Sequence, residues 1–245
     1  MGYQEAKLEL RLIAEKLRNR FTVPGRLEGT QWSPKVMDVP PGQRFLVLSP
    51  HPDDDTVGCG GTIVKLLEAG KAVRVVYLSM QVGDFTPDER RKEIHSALEH
   101  LGVKDFILRE SSFPSLQEAV EIITQEIESY RPDAIFAPSP FENHDQHLRT
   151  FEAFRLSVEK MNVNPDAILY EIWNPLMPNL LIPVNSAMER KVMAIKDHWT
   201  QVREIDYVRV SQGLTGYRAA SLALDGYAEA FLHLPAKDVV RMFHV

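Results

Sequence analysis

The sequence predicts an α/β fold, in which a mainly parallel sheet carries helices on both faces. From Arg44 onward, short apolar runs of strand length alternate with longer segments that have the periodicity of amphipathic helices. This alternation is typical of right-handed crossover connections, which build a parallel sheet covered on both sides. With 245 residues, of which 44% are hydrophobic, the chain is long enough for one large domain with a substantial core.

The predicted elements follow one another along the chain from residue 44. Strands are predicted at 45–48, 73–78, 106–108, 134–137 and 167–172, with a further extended segment at 180–184. Helices are predicted at 62–68, 88–101 and 116–130, after His147 to about residue 160, and from 186 to about 201. Ser186 and Glu189 have the spacing of a capping box, which places the start of the last helix. Together these elements predict a Rossmann-like, doubly wound domain.

The first 43 residues lie outside this alternating pattern. They begin with an amphipathic helix pattern and continue with a stretch at 23–43 that contains Pro and Gly. We expect an N-terminal helix and a connecting arm over 1–43, followed by a single domain over 44–245. The N-terminal helix and the arm are together a candidate subunit interface, and we also expect a homo-oligomer.

Charge and hydropathy argue against two classes of partner. The net charge of −6 offers no basic footprint for nucleic acid or for an anionic membrane surface. No apolar run approaches the roughly 20 residues that a membrane-spanning helix needs, and the amino terminus lacks the apolar core of a signal peptide. We therefore expect a cytoplasmic protein without a nucleic-acid or membrane partner.

The turn after the first strand of this pattern, at 45–48, carries an unusual density of charge. His51 is followed by Pro52 and by three aspartates, Asp53, Asp54 and Asp55, just before a Gly-rich segment. Three carboxylates in one turn repel each other unless a cation lies among them. The turn therefore predicts a metal site at the end of a strand, where α/β folds place their ligands.

A second group of candidate ligands follows the strand predicted at 134–137. Residues three apart lie on one side of a helical turn, so His51 and Asp54 can hold one ion while Asp53 points elsewhere. His144 and His147 have the same spacing, which lets one bind metal while the other faces the substrate. Imidazoles, a carboxylate and an open position suit a catalytic zinc, which lowers the pKa of bound water to about 7. A carboxylate that is not a ligand could then accept the proton of this water.

These motifs resemble the LmbE/PIG-L family of zinc-dependent de-N-acetylases, and most closely its sugar-directed members such as the diacetylchitobiose deacetylases. The resemblance extends over roughly residues 44–234, from the His51 turn to the segment at 227–231. The chain has Asp55 where family members usually have Glu. It has Gln146 where they usually have an Asp that orients the preceding histidine, and the nearest carboxylate here is Asp145.

The resemblance implies a role for each motif residue. His51, Asp54 and His147 would hold zinc, and Asp53 would be the general base. His144 would stabilise the oxyanion and help to protonate the departing amine. Two further residues would contact the substrate, Arg90 directly and Glu110 by holding sugar hydroxyls.

Simpler interpretations compete with these assignments. The His51 turn could be a capped helix start, Arg90 and Glu93 could be a solvated ion pair, and Glu110 could be an ordinary exposed residue. His198 and Gln201 are expected to be structural, and the Gly-rich segment at 58–61 lacks the spacing of a phosphate-binding loop.

The function expected is zinc-dependent removal of an N-acetyl group from an amino sugar of the N-acetylglucosamine type. One alternative is a related amide hydrolase that acts on a thiol-conjugate, a glycopeptide or a lipid-linked glucosamine. The other is a non-catalytic binding module with the same fold. Another divalent metal could replace zinc, because affinity alone does not select the metal in a cell.

Overall fold

The structure of the protein, a computed structural model, describes residues 34–80 and 85–243. The predicted N-terminal helix lies outside these residues. The strands are β1 (Lys35–Val36), β2 (Arg44–Ser49), β3 (Ala72–Tyr77), β4 (Asp105–Leu108), β5 (Ala134–Pro138), β6 (Asp166–Tyr170), β7 (Leu180–Pro183) and β8 (Ala228–Pro235). The helices are α1 (Asp54–Glu68), α2 (Pro87–Leu101), α3 (Leu116–Tyr130), α4 (Asp145–Met161), α5 (Met188–Asp197), α6 (Trp199–Val202), α7 (Tyr207–Ala220) and α8 (Ala236–Met242).

Within the described ranges, these strands form one sheet in the order β1-β7-β8-β6-β5-β2-β3-β4. Every pairing is parallel except those of β8, which runs antiparallel to both β6 and β7. The predicted fold class is confirmed. One part of the expected arm is itself a strand, since β1 pairs with β7 at the edge of the sheet.

The two faces of the sheet are covered by different helices. Phe45 and Val47 of β2 point to one side, where they join a fully buried cluster with residues of α1, α2 and α5. Leu46 and Leu48 point to the other side, toward α3 and α4. Because side chains alternate along a strand, a continuous apolar run such as β2 fills both layers of the core.

The order of the strands places the functional residues. The chain passes from β2 to β3 on one side and later returns to β5 on the other, so the direction of winding changes between β2 and β5. Open α/β sheets form a crevice at such a point, beside the carboxyl ends of the strands. The His51 turn follows β2 and the His144 segment follows β5, so both reach this crevice.

Helix α1 is kinked at Cys59, where φ is −146° and ψ is 17°. The kink interrupts the hydrogen bond that Gly61 N–H would give to the carbonyl of Val57 in a regular helix. Instead, Gly61 N–H donates to Glu229 at 2.9 Å, and Lys191 Nζ donates to the Val57 oxygen at 2.8 Å and to Glu229 at 2.6 Å. A buried ion pair thus replaces the missing helical contact and fixes the first turn of α1, which carries Asp54.

Two glycines near the kink allow close packing. A Cβ atom on Gly58 would lie 2.4 Å from the ring of Tyr170, and one on Gly61 would lie 2.8 Å from Val184. The Gly-rich segment is therefore explained by packing against the sheet and α1's neighbours.

The carboxyl-terminal third differs most from the predicted elements. The helix expected from 186 to about 201 is divided into a 3₁₀ turn (Asn185–Ala187), α5 and α6, with the break at His198. The predicted capping box is wrong, because Ser186 lies inside the 3₁₀ turn and α5 has no side-chain cap. Helices α7 and α8 have no counterpart among the predicted elements. None of the described helices has the length and apolarity needed to cross a membrane.

Candidate metal centre

The structure brings the predicted ligand groups together at the crevice. His51 lies in the turn after β2, Asp54 is the first residue of α1, and His147 lies in the first turn of α4, whose N-cap is His144. The ring centroids of His51 and His147 are 5.6 Å apart, and that of His144 is 5.1 Å from the first and 4.6 Å from the second. Two strand ends that are far apart in sequence therefore supply one cluster of side chains.

Asp54 lies between two of these imidazoles. One carboxylate oxygen is 3.0 Å from His51 Nδ1 and the other is 3.2 Å from His147 Nε2. Burial alone would raise the pKa of Asp54, but His147 and His51 hold it well below its usual range. The converse holds for His147: burial would lower its pKa, yet Asp54 and then Glu142 raise it to about 10.

This arrangement fits a bound cation. In the part of the chain that the structure describes, no Lys or Arg pairs with Asp54, so protonated imidazoles supply the balancing positive charge. A divalent ion would supply that charge without the protons. Imidazole nitrogens with a carboxylate are the donors that zinc prefers at catalytic sites.

Each of these two imidazoles has a second partner on its other nitrogen. His51 Nε2 contacts the side-chain oxygen of Gln146, and His147 Nδ1 lies 3.2 Å from Glu142. If Nε2 of His51 and Nδ1 of His147 carry the protons, the nitrogens that face Asp54 are free to bind metal. Such outer partners fix the tautomer of metal-binding histidines.

Glu142 is a residue that the sequence analysis missed. Its buried carboxylate contacts His147 and also accepts hydrogen bonds from the backbone N–H of Ile172 at 2.8 Å and Trp173 at 3.3 Å. The only signal in the sequence is an acidic residue five positions before a candidate ligand. That spacing does not reveal that the loop folds back onto α4.

His144 can act in two ways. One of its nitrogens lies within 4.8 Å of donor nitrogens of His51 and His147, so it could be a further ligand or could face a substrate. Burial and then the charges of His147 and His51 lower the pKa of His144. The nearest carboxylate in sequence, Asp145, pairs with Arg149 at 2.8 Å, and Gln146 contacts His51. His144 is therefore expected to be a neutral imidazole.

The three consecutive aspartates have three different environments. The carboxylate of Asp53 lines the cavity described below and forms no hydrogen bond with the described residues; burial and then Asp54 raise its pKa to about 6. Asp55 accepts a hydrogen bond from Tyr77 at 3.0 Å, and burial raises its pKa to about 7. Asp54 is held by the imidazoles, Asp55 stabilises the strand ends, and Asp53 is left available for chemistry.

A cavity of about 730 Å³ opens beside these groups, a size suited to a small molecule. Besides the charged cluster, its walls contain aromatic and apolar side chains. The lining residues are His51, Asp53, Asp54, Phe85, Arg90, Asn143, His144, His147, Trp173, Gln201, Ile205 and Tyr207.

The two residues predicted to contact substrate have different positions. Arg90 lines the cavity and is 2% exposed, so the interpretation of Arg90 and Glu93 as a solvated ion pair is wrong. Its guanidinium contacts Glu93 and also donates to Thr200 at 3.0 Å and to the Pro52 carbonyl at 3.3 Å. Glu110 is paired with Arg91 and is not among the residues that line the cavity, so the structure does not bring it to the site.

His198 is buried at the break between α5 and α6, in agreement with the expected structural position. Burial and then Arg90 lower its pKa to about 3. Gln201 differs from that expectation in part, since it lines the cavity while its amide donates to Thr200 at 3.1 Å.

Fold and site together define a Rossmann-like α/β protein with a candidate catalytic metal centre at its crevice. Residues 46–157 match the family described as PIG-L: GlcNAc-PI de-N-acetylase. The match confirms the predicted resemblance to this family, and with it the prediction of an enzyme of the N-deacetylase class.

Comparison with individual proteins finds the same resemblance. A diacetylchitobiose deacetylase of Thermococcus kodakarensis is 27% identical over 194 residues, which are 66% of this chain and 71% of that protein. The crystal structure of N,N'-diacetylchitobiose deacetylase from Pyrococcus horikoshii has a TM-score of 0.66 and 23% identity, covering 98% of this chain and 95% of that one.

The same fold also supports another chemistry. GalB, the 4-carboxy-2-hydroxymuconate hydratase from Pseudomonas putida KT2440, has a TM-score of 0.64 at 20% identity, covering 78% of this chain and 96% of that one. Structural similarity at this identity therefore shows the fold alone, and the reaction has to be argued from the site.

Proposed function

We propose that the protein hydrolyses the N-acetyl group of an amino sugar of the N-acetylglucosamine type, using a divalent cation, preferably zinc, held by His51, Asp54 and His147. The observation that carries the proposal is the carboxylate of Asp53, which lies in the cavity beside this donor set and forms no hydrogen bond with the residues that the structure describes. The substrate class is supported by the relatives, whose names specify compounds of N-acetylglucosamine.

The cation would supply Lewis acidity, which lowers the pKa of water and polarises the acetyl carbonyl. The protein holds it through side chains that are themselves fixed. Glu142 and Gln146 orient the two imidazoles, and the Lys191–Glu229 pair fixes the helical turn that carries Asp54. The donor atoms are thus positioned before substrate binds, which reduces the reorganisation needed during the reaction.

Asp53 is the proposed general base. A pKa of about 6 keeps its carboxylate ionised at neutral pH and still basic enough to accept a proton from water. The water oxygen bonds to the acetyl carbon, and its proton moves to Asp53. When the C–N bond breaks, Asp53 returns this proton to the amine nitrogen, which gives a free amine and acetic acid. The acid then loses its remaining proton to solvent and leaves as acetate.

His144 is proposed to donate its N–H to the acetyl oxygen as negative charge develops there. Its lowered pKa favours a neutral hydrogen-bond donor over the imidazolium that the family resemblance implies. Proton delivery to the amine is therefore assigned to Asp53.

Arg90 is proposed to contact the substrate. Its buried Nε has no hydrogen-bond partner among the described residues, and the side chain lines the cavity. A ligand oxygen would satisfy this donor, whose burial without a partner is otherwise costly.

Two measurements on one reaction test the proposal. Purified protein with quantified bound metal is incubated with N-acetylglucosamine and N,N'-diacetylchitobiose, and acetate and primary amine are measured together. We expect equal amounts of both products, and loss of both in the Asp53→Asn variant. Absence of acetate from every N-acetylglucosamine compound, with the metal site filled, contradicts the proposal.

The same assay separates the remaining alternatives. Activity only on a thiol-conjugate, a glycopeptide or a lipid-linked glucosamine would keep the chemistry and change the substrate. A non-catalytic module would bind metal and sugar without releasing acetate. The expected cytoplasmic location and homo-oligomeric state stay predictions, which cell fractionation and sedimentation analysis can test.

A further inference from the structure

Two aromatic side chains from distant segments form one wall of the cavity. Trp173 lies in the loop after β6 and Tyr207 is the first residue of α7. Their ring centroids are 5.4 Å apart with an interplanar angle of 53°, and both residues line the cavity. Neither the Trp173 indole N–H nor the Tyr207 hydroxyl forms a hydrogen bond within residues 34–80 and 85–243.

The wall lies close to the reacting groups. Burial, followed by the nearby carboxylates of Asp53 and Asp54, raises the pKa of Tyr207 well above its usual range. Trp173 and Tyr207 line the same cavity as both carboxylates. A molecule whose acetyl group reaches Asp53 would bring the adjacent part of its structure against this wall.

The wall is also held in a fixed position. Glu142, which contacts His147, accepts the backbone N–H of Trp173 at 3.3 Å. Arg218 of α7 forms two hydrogen bonds with Glu171, at 2.8 and 2.6 Å, and so ties the helix that begins with Tyr207 to the loop that carries Trp173. A buried ion pair thus connects the loop of Trp173 to helix α7, and Glu142 connects this loop to the candidate metal ligand His147.

We propose that Trp173 and Tyr207 form an aromatic wall that binds the sugar ring of the substrate and so determines specificity. The inference rests on the proposed function. A pyranose ring presents an apolar face of C–H groups and a rim of hydroxyls. The wall offers the complementary features: an apolar aromatic surface, together with an indole N–H and a phenol that have no hydrogen-bond partner in the described part of the chain.

The test compares a ligand that has the ring with one that lacks it. N-acetylglucosamine and N-acetylethanolamine share the acetamide group, but only the first has a pyranose face. With wild-type protein and the Trp173→Ala variant, KM and kcat are measured for both compounds. We expect KM for the sugar to rise about tenfold with kcat changed less than about twofold, and no change of KM for N-acetylethanolamine.

Matched variants separate binding from a general structural effect. Trp173→Phe keeps an aromatic face and should recover most of the affinity, and Tyr207→Leu should reproduce part of the loss. Tyr217→Ala removes an exposed aromatic ring, 63% accessible, from outside the set of lining residues and should have no effect on KM. Bound metal should be unchanged in all of these variants, and circular dichroism should show that each variant is folded.

A second readout does not require turnover. Calorimetric titration of metal-loaded Asp53→Asn protein with N-acetylglucosamine should show an affinity that the added Trp173→Ala substitution lowers about tenfold. An equal loss of affinity for both compounds in Trp173→Ala, or an unchanged KM for the sugar, would contradict the proposed aromatic wall. If no compound is hydrolysed by wild-type protein but Trp173→Ala still weakens sugar binding, the wall is supported and the proposed function fails.

Discussion

Replacing Glu142 by Gln tests how the candidate metal ligands are held in place. The carboxylate is fully buried, lies 3.2 Å from His147 Nδ1 and accepts the backbone N–H of Ile172 at 2.8 Å. A Gln side chain keeps an oxygen for the backbone groups but loses the negative charge beside His147. Loss of such an outer partner typically lowers metal affinity by about 10- to 100-fold, or about 1.4–2.7 kcal/mol.

Zinc affinity of the Glu142→Gln variant is measured by competition with a chromophoric chelator, and folding is checked by circular dichroism. The matched control is Asp145→Asn, which removes an exposed carboxylate next to His144 that pairs with Arg149. We expect the control to bind zinc as the wild type does. An unchanged affinity in Glu142→Gln, or an equal loss in Asp145→Asn, would refute the reasoning.

Three further predictions concern the charged groups around the site. Asp53→Asn should keep its zinc and lose about 10²- to 10⁴-fold in kcat, whereas Asp54→Asn should lose the metal. Metal analysis and kinetics distinguish the two variants. An empty metal site in Asp53→Asn would mean that Asp53 is the ligand and Asp54 the base. Lys191→Met should lower the free energy of unfolding by about 3–5 kcal/mol, because Glu229 would remain buried without its cation; urea denaturation measures this, and a loss near zero would contradict it. The pKa of His198 is about 3 in the folded protein, against a reference value of 6.5, so its contribution to stability is complete above pH 6.5 and falls by about 2 kcal/mol when the pH is lowered to 5. His198→Asn should lack this part of the pH dependence of the free energy of unfolding, measured by denaturation. The same pH dependence in wild type and variant would argue against a buried neutral imidazole.

The parts of the fold that could be predicted are those in which local signals agree. Helix α3 has the predicted bounds because its apolar periodicity begins directly after Ser115, which forms a capping box with Glu118 in the first turn. Helix α7 contains Gly213 and Gly216, which weaken its intrinsic helix propensity, and it had no predicted counterpart. The capping box expected at Ser186 fails because the neighbouring Asn185 is held by Tyr227 and Asp225 in a 3₁₀ turn.

In the candidate site, too, some residues could be predicted from local signals in the sequence and others could not. His51, Asp54 and His147 follow strand ends at short, regular spacings, so their convergence could be predicted from the alternation of strands and helices. The roles of Glu142, Trp173 and Tyr207 depend on loops that fold back across the crevice. Their contacts join segments about 30 residues or more apart, and no local pattern records such contacts.

The central claim is that a cation held by this cluster is needed for release of acetate from an N-acetylated amino sugar. The most direct measurement is the rate of acetate release from N,N'-diacetylchitobiose as zinc is added back to protein treated with a chelator. The account predicts no release from the stripped protein and a rate that rises in proportion to bound zinc up to one ion per chain. Release that persists without metal, or a filled site that releases no acetate, would contradict it.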